Sequence, residues 1–272
     1  MKRGRSLVIT SILSLLMPML ALTVANAQEY VLQQTLETDA VQFATDKLQN
    51  IYLVNAKNKI IKLDKTVNQQ YLYSNNRLGE LTYIDATNPF KLLLFYPDFG
   101  NIVVLDRTLT ENGSFNLFDL NLLQVNAVGT ASDNGIWLYD PLNFKLKKIN
   151  QRGDVIVQSA DMSLTLNTQL QPNFVVEKEQ RVYLNDPEVG ILVFDLFGQY
   201  LKTIQRKGLD DFQIIDGRCI YYDQEALYAF NLQSLISEPI QTPLPRTDFK
   251  QLSVQKNKLY LLQDGKLLMY GF

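Results

Sequence analysis

The stretch "VYLNDPEVGILVFDLFGQYLKTI", residues 182–204, holds two apolar runs around a polar Asn-Asp-Pro turn and a third run after Phe-Gly. Short runs rich in Val, Ile, Leu and aromatics, bounded by turn residues, read as β-strands. The same plan recurs in "NIYLVNAKNKIIKLD" (50–64), "KLLLFYPDFGNIVVLD" (91–106), "GIWLYDPLNFKLKKIN" (135–150), "CIYYDQEALYAFN" (219–231) and "KLYLLQDGKLLMYG" (258–271). With the copy at 181–195, the third runs end at Asp64, Asp106, Asn150, Asp195, Asn231 and Gly271, spacings of 42, 44, 45, 36 and 40 residues. A period near 40 residues built of short strands is the signature of a propeller blade.

Each copy follows a further short apolar segment: "AVQFATD", "LTYIDAT", "VNAVGTAS", "NFVVEKE", "FQIIDG" and "KQLSVQ". These are the expected inner strands. Outer strands are expected in "QQYLYS", "SFNLFDL" (114–120), "DVIVQSA", "QYLKTIQ" and "EPIQTPL". The reading is an all-β, six-bladed β-propeller of four-stranded blades, nearly free of helix. The sixth copy stops at Phe272 without an outer strand, and "EYVLQQTLE" (29–37) stands unassigned before the first inner strand. The N-terminal segment therefore closes the last blade, which removes two open sheet edges at once.

The first residues speak to compartment. Lys2, Arg3 and Arg5 precede an apolar run from Leu7 to Val24, and Ala25-Asn26-Ala27 follows as a small-residue cleavage site. That order is the pattern of a secretory signal peptide. As a membrane anchor the run is near the lower length limit and is broken by Pro18. The expected division is a signal peptide at 1–27 and one propeller domain at 28–272, periplasmic or secreted, monomeric, with no membrane span after cleavage. Removing 1–27 leaves 23 Lys and Arg against 28 Asp and Glu, a net charge of about −5. No basic stripe exists to neutralise phosphates, so a nucleic-acid partner is excluded.

The chain contains no His and a single Cys. That excludes Ser-His-Asp and Cys-His nucleophile systems and every His-liganded metal site. Cys219, in "RCIYY", reads as a buried, inert thiol. No cofactor and no catalytic constellation is expected, and what chemistry remains belongs to carboxylates, Lys, Tyr and Arg, or to an oxygen-ligated calcium ion. Asp46, Asp85, Asn88, Asp133, Asn134, Glu177 and Asp216, after the inner strands, are the candidate calcium ligands. Asp and Asn also start turns by bonding their own backbone, which accounts for the same recurrence.

The copy at 182–204 resembles an NHL repeat, with its second strand, turn, third strand ending in Phe194-Asp195, and the G-x-x-L positions at Gly198 and Leu201. The resemblance implies an NHL-like or TolB-like six-bladed propeller and specifies fold rather than activity. Six-bladed propellers with lactonase-type activity hold calcium in the channel. A carboxylate- or calcium-dependent hydrolase is accordingly the alternative to a binding module, and an assembly factor associated with the outer membrane is a third reading. "SDNGIW" (132–137) resembles a sialidase Asp-box, but Trp137 comes one residue early and Ala131 replaces the Ser or Thr. Trp137 aligns with Tyr52, Tyr183, Tyr221 and Tyr260 on second strands and reads as core between blades.

The leading reading is an exported, non-catalytic binding or scaffold module for a protein partner of the envelope or a secreted one. Its candidate contact residues lie at the second-to-third-strand turns, which all emerge on one side of a propeller. They are Asp98, Asp140, Asp186, Asp223 and Asp264, with Phe99 and Phe144 among them. Ordinary turn chemistry accounts for Asp at such positions. One sign of charge with aromatics on one face also makes a docking surface for a basic partner.

Overall fold

The computed structural model describes residues 29–223 and 226–272. The segment expected to be a signal peptide, 1–27, lies outside the described residues. Strand β1 (Val31–Glu37) opens the chain. Blade I is β2 (Ala40–Thr45), β3 (Ile51–Asn55), β4 (Lys59–Leu63) and β5 (Gln69–Ser74). Blade II is β6 (Tyr83–Asn88), β7 (Lys91–Tyr96), β8 (Asn101–Asp106) and β9 (Glu111–Asn116). Blade III is β10 (Val128–Thr130), β11 (Ile136–Asp140), β12 (Lys145–Ile149) and β13 (Val155–Gln158), followed by a one-turn helix α1 (Met162–Leu166). Blade IV is β14 (Phe174–Lys178), β15 (Arg181–Asp186), β16 (Gly190–Phe194) and β17 (Tyr200–Ile204). Blade V is β18 (Gln213–Ile215), β19 (Arg218–Tyr222), β20 (Leu227–Asn231) and β21 (Ser237–Ile240). Blade VI is β22 (Gln251–Gln255), β23 (Lys258–Gln263) and β24 (Lys266–Gly271), completed by β1.

The chain is therefore a six-bladed β-propeller, and its ring is closed by the N-terminal strand. β1 runs antiparallel to β24 from Val31 opposite Gly271 to Glu37 opposite Lys266, with one bulge between Leu32 and Gln34. Naming the strands of a blade a to d from the axis outward, a–b and c–d turns emerge on one face, and b–c turns and blade-to-blade connections on the other. The apolar core lies between blades, not at the axis. Tyr52, Leu92 and Leu94 join blades I and II, Trp137, Val175 and Leu184 join III and IV, and Phe43, Tyr260 and Leu262 join VI and I.

Side chains stitch neighbouring blades at the inner strands. Asp85 accepts from the Thr130 N–H at 2.7 Å, Gln251 from the Phe43 N–H at 2.8 Å, and Gln213 from the Val254 N–H at 2.8 Å. The c–d turns repeat one device: Asp64, Asp106 and Asp195 each accept from the N–H groups two and four residues on. A short polar side chain there replaces the ladder partner that the turning backbone loses.

Two details depart from the sequence reading. The outer strand of blade II lies at Glu111–Asn116, three residues before the apolar run "SFNLFDL" that was expected to form it. A d strand is exposed on its outer side and needs no apolar alternation, whereas Leu117 and Leu122 are taken into the core between blades II and III. The inner strand of blade III has only three residues, and Gly129 in it sits against the Val175 carbonyl of blade IV so closely that no side chain fits.

Candidate functional site

Alternate residues of the inner strands face the axis, because side chains of a strand repeat with period two. Phe174, Val176 and Lys178 line the channel in blade IV, Tyr83, Asp85 and Thr87 in blade II, and Gln251, Ser253 and Gln255 in blade VI. They enclose a cavity of about 800 Å³. At the a–b mouth stand Lys47, Lys178 and Lys256, none of them in a salt bridge among the described residues. Burial lowers the Lys178 ammonium below the usual lysine range, an effect that Asp85 partly offsets and Lys47 reinforces. At the b–c mouth stand Asp210, Asp211 and the rings of Tyr83, Phe174 and Phe212.

The candidate calcium ligands are dispersed over separate blades, and most are engaged by the fold itself. The Asp46 carboxylate accepts from the Leu48 and Asn50 N–H groups at 2.8 and 3.0 Å and from the Tyr52 hydroxyl at 3.0 Å. Burial and then Asp46 push the Tyr52 phenol far above its ordinary range. Asp133 binds the Lys148 ammonium at 2.6 Å. Glu177 accepts from the Ser132 N–H at 3.0 Å and from the Trp137 indole N–H at 2.6 Å. Asn88 caps its own turn at the Phe90 N–H, 3.0 Å away. Asn134 uses its backbone, the carbonyl accepting from Lys91 at 2.7 Å. Asp216 stands at the a–b mouth with a left-handed backbone, φ 49°. No three carboxylate or thiol groups converge on a metal position among the described residues.

The b–c turns carry the candidate contact residues, and the structure sorts them into two groups. Asp98, Asp223 and Asp264 are exposed, and Phe99 is 55% exposed. Asp140 and Asp186 are each 1% exposed. Asp140 accepts from the Leu142 and Asn143 N–H groups, both at 3.1 Å, and pairs with Lys147 at 2.6 Å. Burial alone raises this carboxyl, but the Lys147 and Asn143 donors outweigh it and hold it below the usual carboxylate value. Asp186 accepts from the Glu188, Val189 and Gln171 N–H groups at 2.9, 3.1 and 2.6 Å. Phe144 is half-buried in a left-handed backbone position, φ 54°, its carbonyl accepting from the Met162 N–H at 2.8 Å. Of the candidate acids, Asp98, Asp223 and Asp264 are accessible, and Glu188 in the blade IV turn is exposed as well.

Phe118, in the connection leaving blade II, was not singled out from the sequence. It is 45% exposed and lies over Gly100, beside Phe99, in a place where a Cβ on Gly100 would stand 2.8 Å from its ring. Gly100 has φ 62°, so glycine serves both the left-handed turn and the close approach of the ring. Glu80 and Asp119 are exposed beside the same turns. Phe118 belongs to a segment that reads as strand in the sequence, which hid its exposure.

Cys219 is fully buried on the second strand of blade V. Burial pushes its thiol up to about 12, with Arg206 acting in the opposite direction. The thiolate is the reactive form, so at pH 8 a disulfide reagent will leave the folded protein unlabelled and modify one thiol per chain once denaturant is added. Rapid labelling of the folded chain would contradict this placement.

No family model matches the sequence, and no curated protein resembles it closely enough to count as a relative. Solved structures do resemble it. Virginiamycin B lyase from Staphylococcus aureus superposes with TM-score 0.59 at 11% identity, over 85% of this chain and 79% of that one. The Pan2 WD40 domain of Neurospora crassa gives TM-score 0.64 at 10% identity, over 89% and 95%. BamB from Moraxella catarrhalis gives 0.57 at 10%, over 90% and 98%. The likeness is one of fold. A lyase stands among these neighbours, and a shared ring does not carry activity from one chain to another. No helix among the described residues is long and apolar enough to cross a membrane.

Proposed function

We propose that this chain is an exported, non-catalytic binding module whose b–c face docks a basic protein partner in the cell envelope or outside the cell. The observation that carries the reading is the exposed pair Phe99 and Phe118, set beside the exposed carboxylate of Asp98 on one face. Exposed aromatics beside the carboxylates of Asp98, Glu80 and Asp119 fit an interface with an apolar centre and a charged rim, to which the neighbouring blade I turn and connection add the exposed Lys57 and Arg77. Asp223 and Asp264 extend the same sign around the turns of blades V and VI, although Asp264 also pairs with Lys250. The basic start and apolar run at 2–24 support export, and the single domain at 28–272 acts as a monomer.

A photo-crosslinking residue at Phe99 or Phe118 should trap one protein repeatedly in intact cells. The triple variant Asp98→Asn, Asp223→Asn, Asp264→Asn removes accessible charge without touching the buried Asp140 and Asp186 turns. Rim charges act mainly on association rate and salt dependence. The expected result is slower capture at low salt, on the order of tenfold, and a flatter dependence on salt. Capture of the same partner at an unchanged rate would overturn the reading. The calcium-dependent hydrolase alternative predicts instead a melting temperature several degrees higher in calcium than in chelator.

A further inference from the structure

The channel holds a second kind of site, at its b–c mouth, and its residues come from three blades. Tyr83 opens β6, Phe174 opens β14, and Phe212 immediately precedes β18. Period two places all three at one level. The inner strand between blades II and IV is cut to Val128–Thr130, and this allows Tyr83 and Phe174 to meet with ring centroids 5.6 Å apart at 78°. Phe174 meets Phe212 at 5.2 Å and 90°. A row of edge-to-face rings thus runs along the channel wall from blade II to blade V, offering electron-rich π faces.

Asp210 and Asp211 stand beside this row, and both line the cavity. Neither carboxylate accepts a hydrogen bond or joins a salt bridge among the described residues. Asp211 is open to the cavity yet crowded by protein atoms on its other sides, and that burial, followed by Asp210, raises its carboxyl above the usual range. Arg246 acts in the opposite direction, but its guanidinium donates to the Phe249 carbonyl at 2.6 Å and lies over the rings of Tyr222 and Phe249. The Tyr83 hydroxyl also has no hydrogen-bond partner among the described residues. Two unpaired carboxylates, a free phenol and a row of rings at one cavity mouth are complementary to a positive charge that carries apolar substituents.

We infer that the b–c mouth of the channel binds a small organic ammonium ion, held by Asp210 and Asp211 against the rings of Tyr83, Phe174 and Phe212. An ammonium over an aromatic face is attracted by the ring quadrupole, and the attraction grows where water is excluded. A bare divalent cation fits less well, since calcium takes six to eight oxygen ligands at most sites and this mouth supplies two carboxylates. The lysines Lys47, Lys178 and Lys256 at the opposite mouth give the channel a direction, so the cation enters from the acidic side. The site stands independently of the docking surface, which lies out at the b–c turns.

The test uses the whole mature chain and two probes, tetramethylammonium and n-butylammonium chloride, followed by ligand-observed NMR and by the ring resonances of Tyr and Phe. Saturable binding is expected in the millimolar range, with pentanoate and butanol failing to compete. Asp211→Asn and Asp210→Asn should each weaken binding at least about tenfold, and Phe174→Leu should weaken it as well. Lys202→Met, exposed on the outer strand β17 and away from the channel, should leave it unchanged. Melting curves for each variant separate loss of the site from loss of fold. Absence of saturable binding by both probes, or full binding by folded Asp210→Asn and Asp211→Asn proteins, would overturn the assignment. So would binding of Nα-acetyl-lysine methylamide without n-butylammonium, which would assign the mouth to a protein side chain.

Discussion

A chain starting after Glu37 will aggregate or remain unfolded under conditions where the parent stays folded. β1 is the outermost strand of blade VI, and most of its side chains are exposed, so it contributes little apolar burial of its own. Its weight lies in connection. It pairs along its length with β24, and only Thr38 and Asp39 separate it from β2 of blade I. Blades VI and I otherwise meet through their shared apolar core and inner-strand bonds such as Thr45 to Ser253 at 2.7 Å. Without β1, the ladder groups of Lys266–Gly271 become an open edge over an apolar strand, a template for pairing with another copy. Light scattering and thermal melting decide the matter, and a soluble monomer with the parent's melting temperature would refute the closure argument.

Trp137→Ala should cost about 3–5 kcal/mol, the range for emptying a large aromatic from a packed core. Trp137 is fully buried between blades III and IV, among Leu146, Val175 and Leu184. It also holds the two blades by a directed bond, since its indole N–H donates to Glu177 at 2.6 Å. Removing it leaves one oxygen of a carboxylate without its donor, which adds a desolvation cost to the cavity. For a domain of this size the loss corresponds to a melting temperature lower by roughly 6–20 °C. Trp137→Phe keeps most of the volume and should fall between, by about 1–3 kcal/mol, which isolates the indole bond. A Trp137→Ala protein melting within about 2 °C of the parent would rule out this interlocking role.

The blade plan was legible because most b and c strands are buried on both faces and read as apolar runs, and because Asp or Asn ends five of the six c runs. The closing role of β1 followed from counting strands, since the sixth copy lacks an outer strand and one strand-like segment, 29–37, stands unassigned ahead of the first. The outer strand of blade II was misplaced where burial and strand formation part company: Leu117 and Leu122 are buried as a connection, while Glu111–Asn116 forms strand with polar residues. At the b–c turns, the sequence marked Asp98, Asp140 and Asp186 alike and could not separate the exposed Asp98, which accepts from the Glu80 N–H at 3.3 Å, from Asp140 and Asp186, whose side chains are buried; it left the exposed Glu188 unmarked. The channel was read only for calcium ligands, and its lining of rings, lysines and the Asp210–Asp211 pair was missed. Its signal was present in inner strands such as Gln251-Leu252-Ser253-Val254-Gln255, where polar residues recur at every second position. A strand buried on both sides has no reason to carry that alternation, whereas one facing a water-filled axis does.

The pairing of Val31 with Gly271 also sets an order of events. A ribosome delivers β1 long before Lys266–Gly271 exists, so the earliest of the described strands obtains its partner last. Contacts that span nearly the whole chain form slowly, because most of the chain's freedom must be surrendered before they are rewarded. During that interval β1 is a lone strand whose ladder groups have no partner in the chain. A chain interrupted before blade VI is complete keeps this strand free. The state of one N-terminal segment, protected from proteolysis or not, would therefore report whether blade VI has been completed.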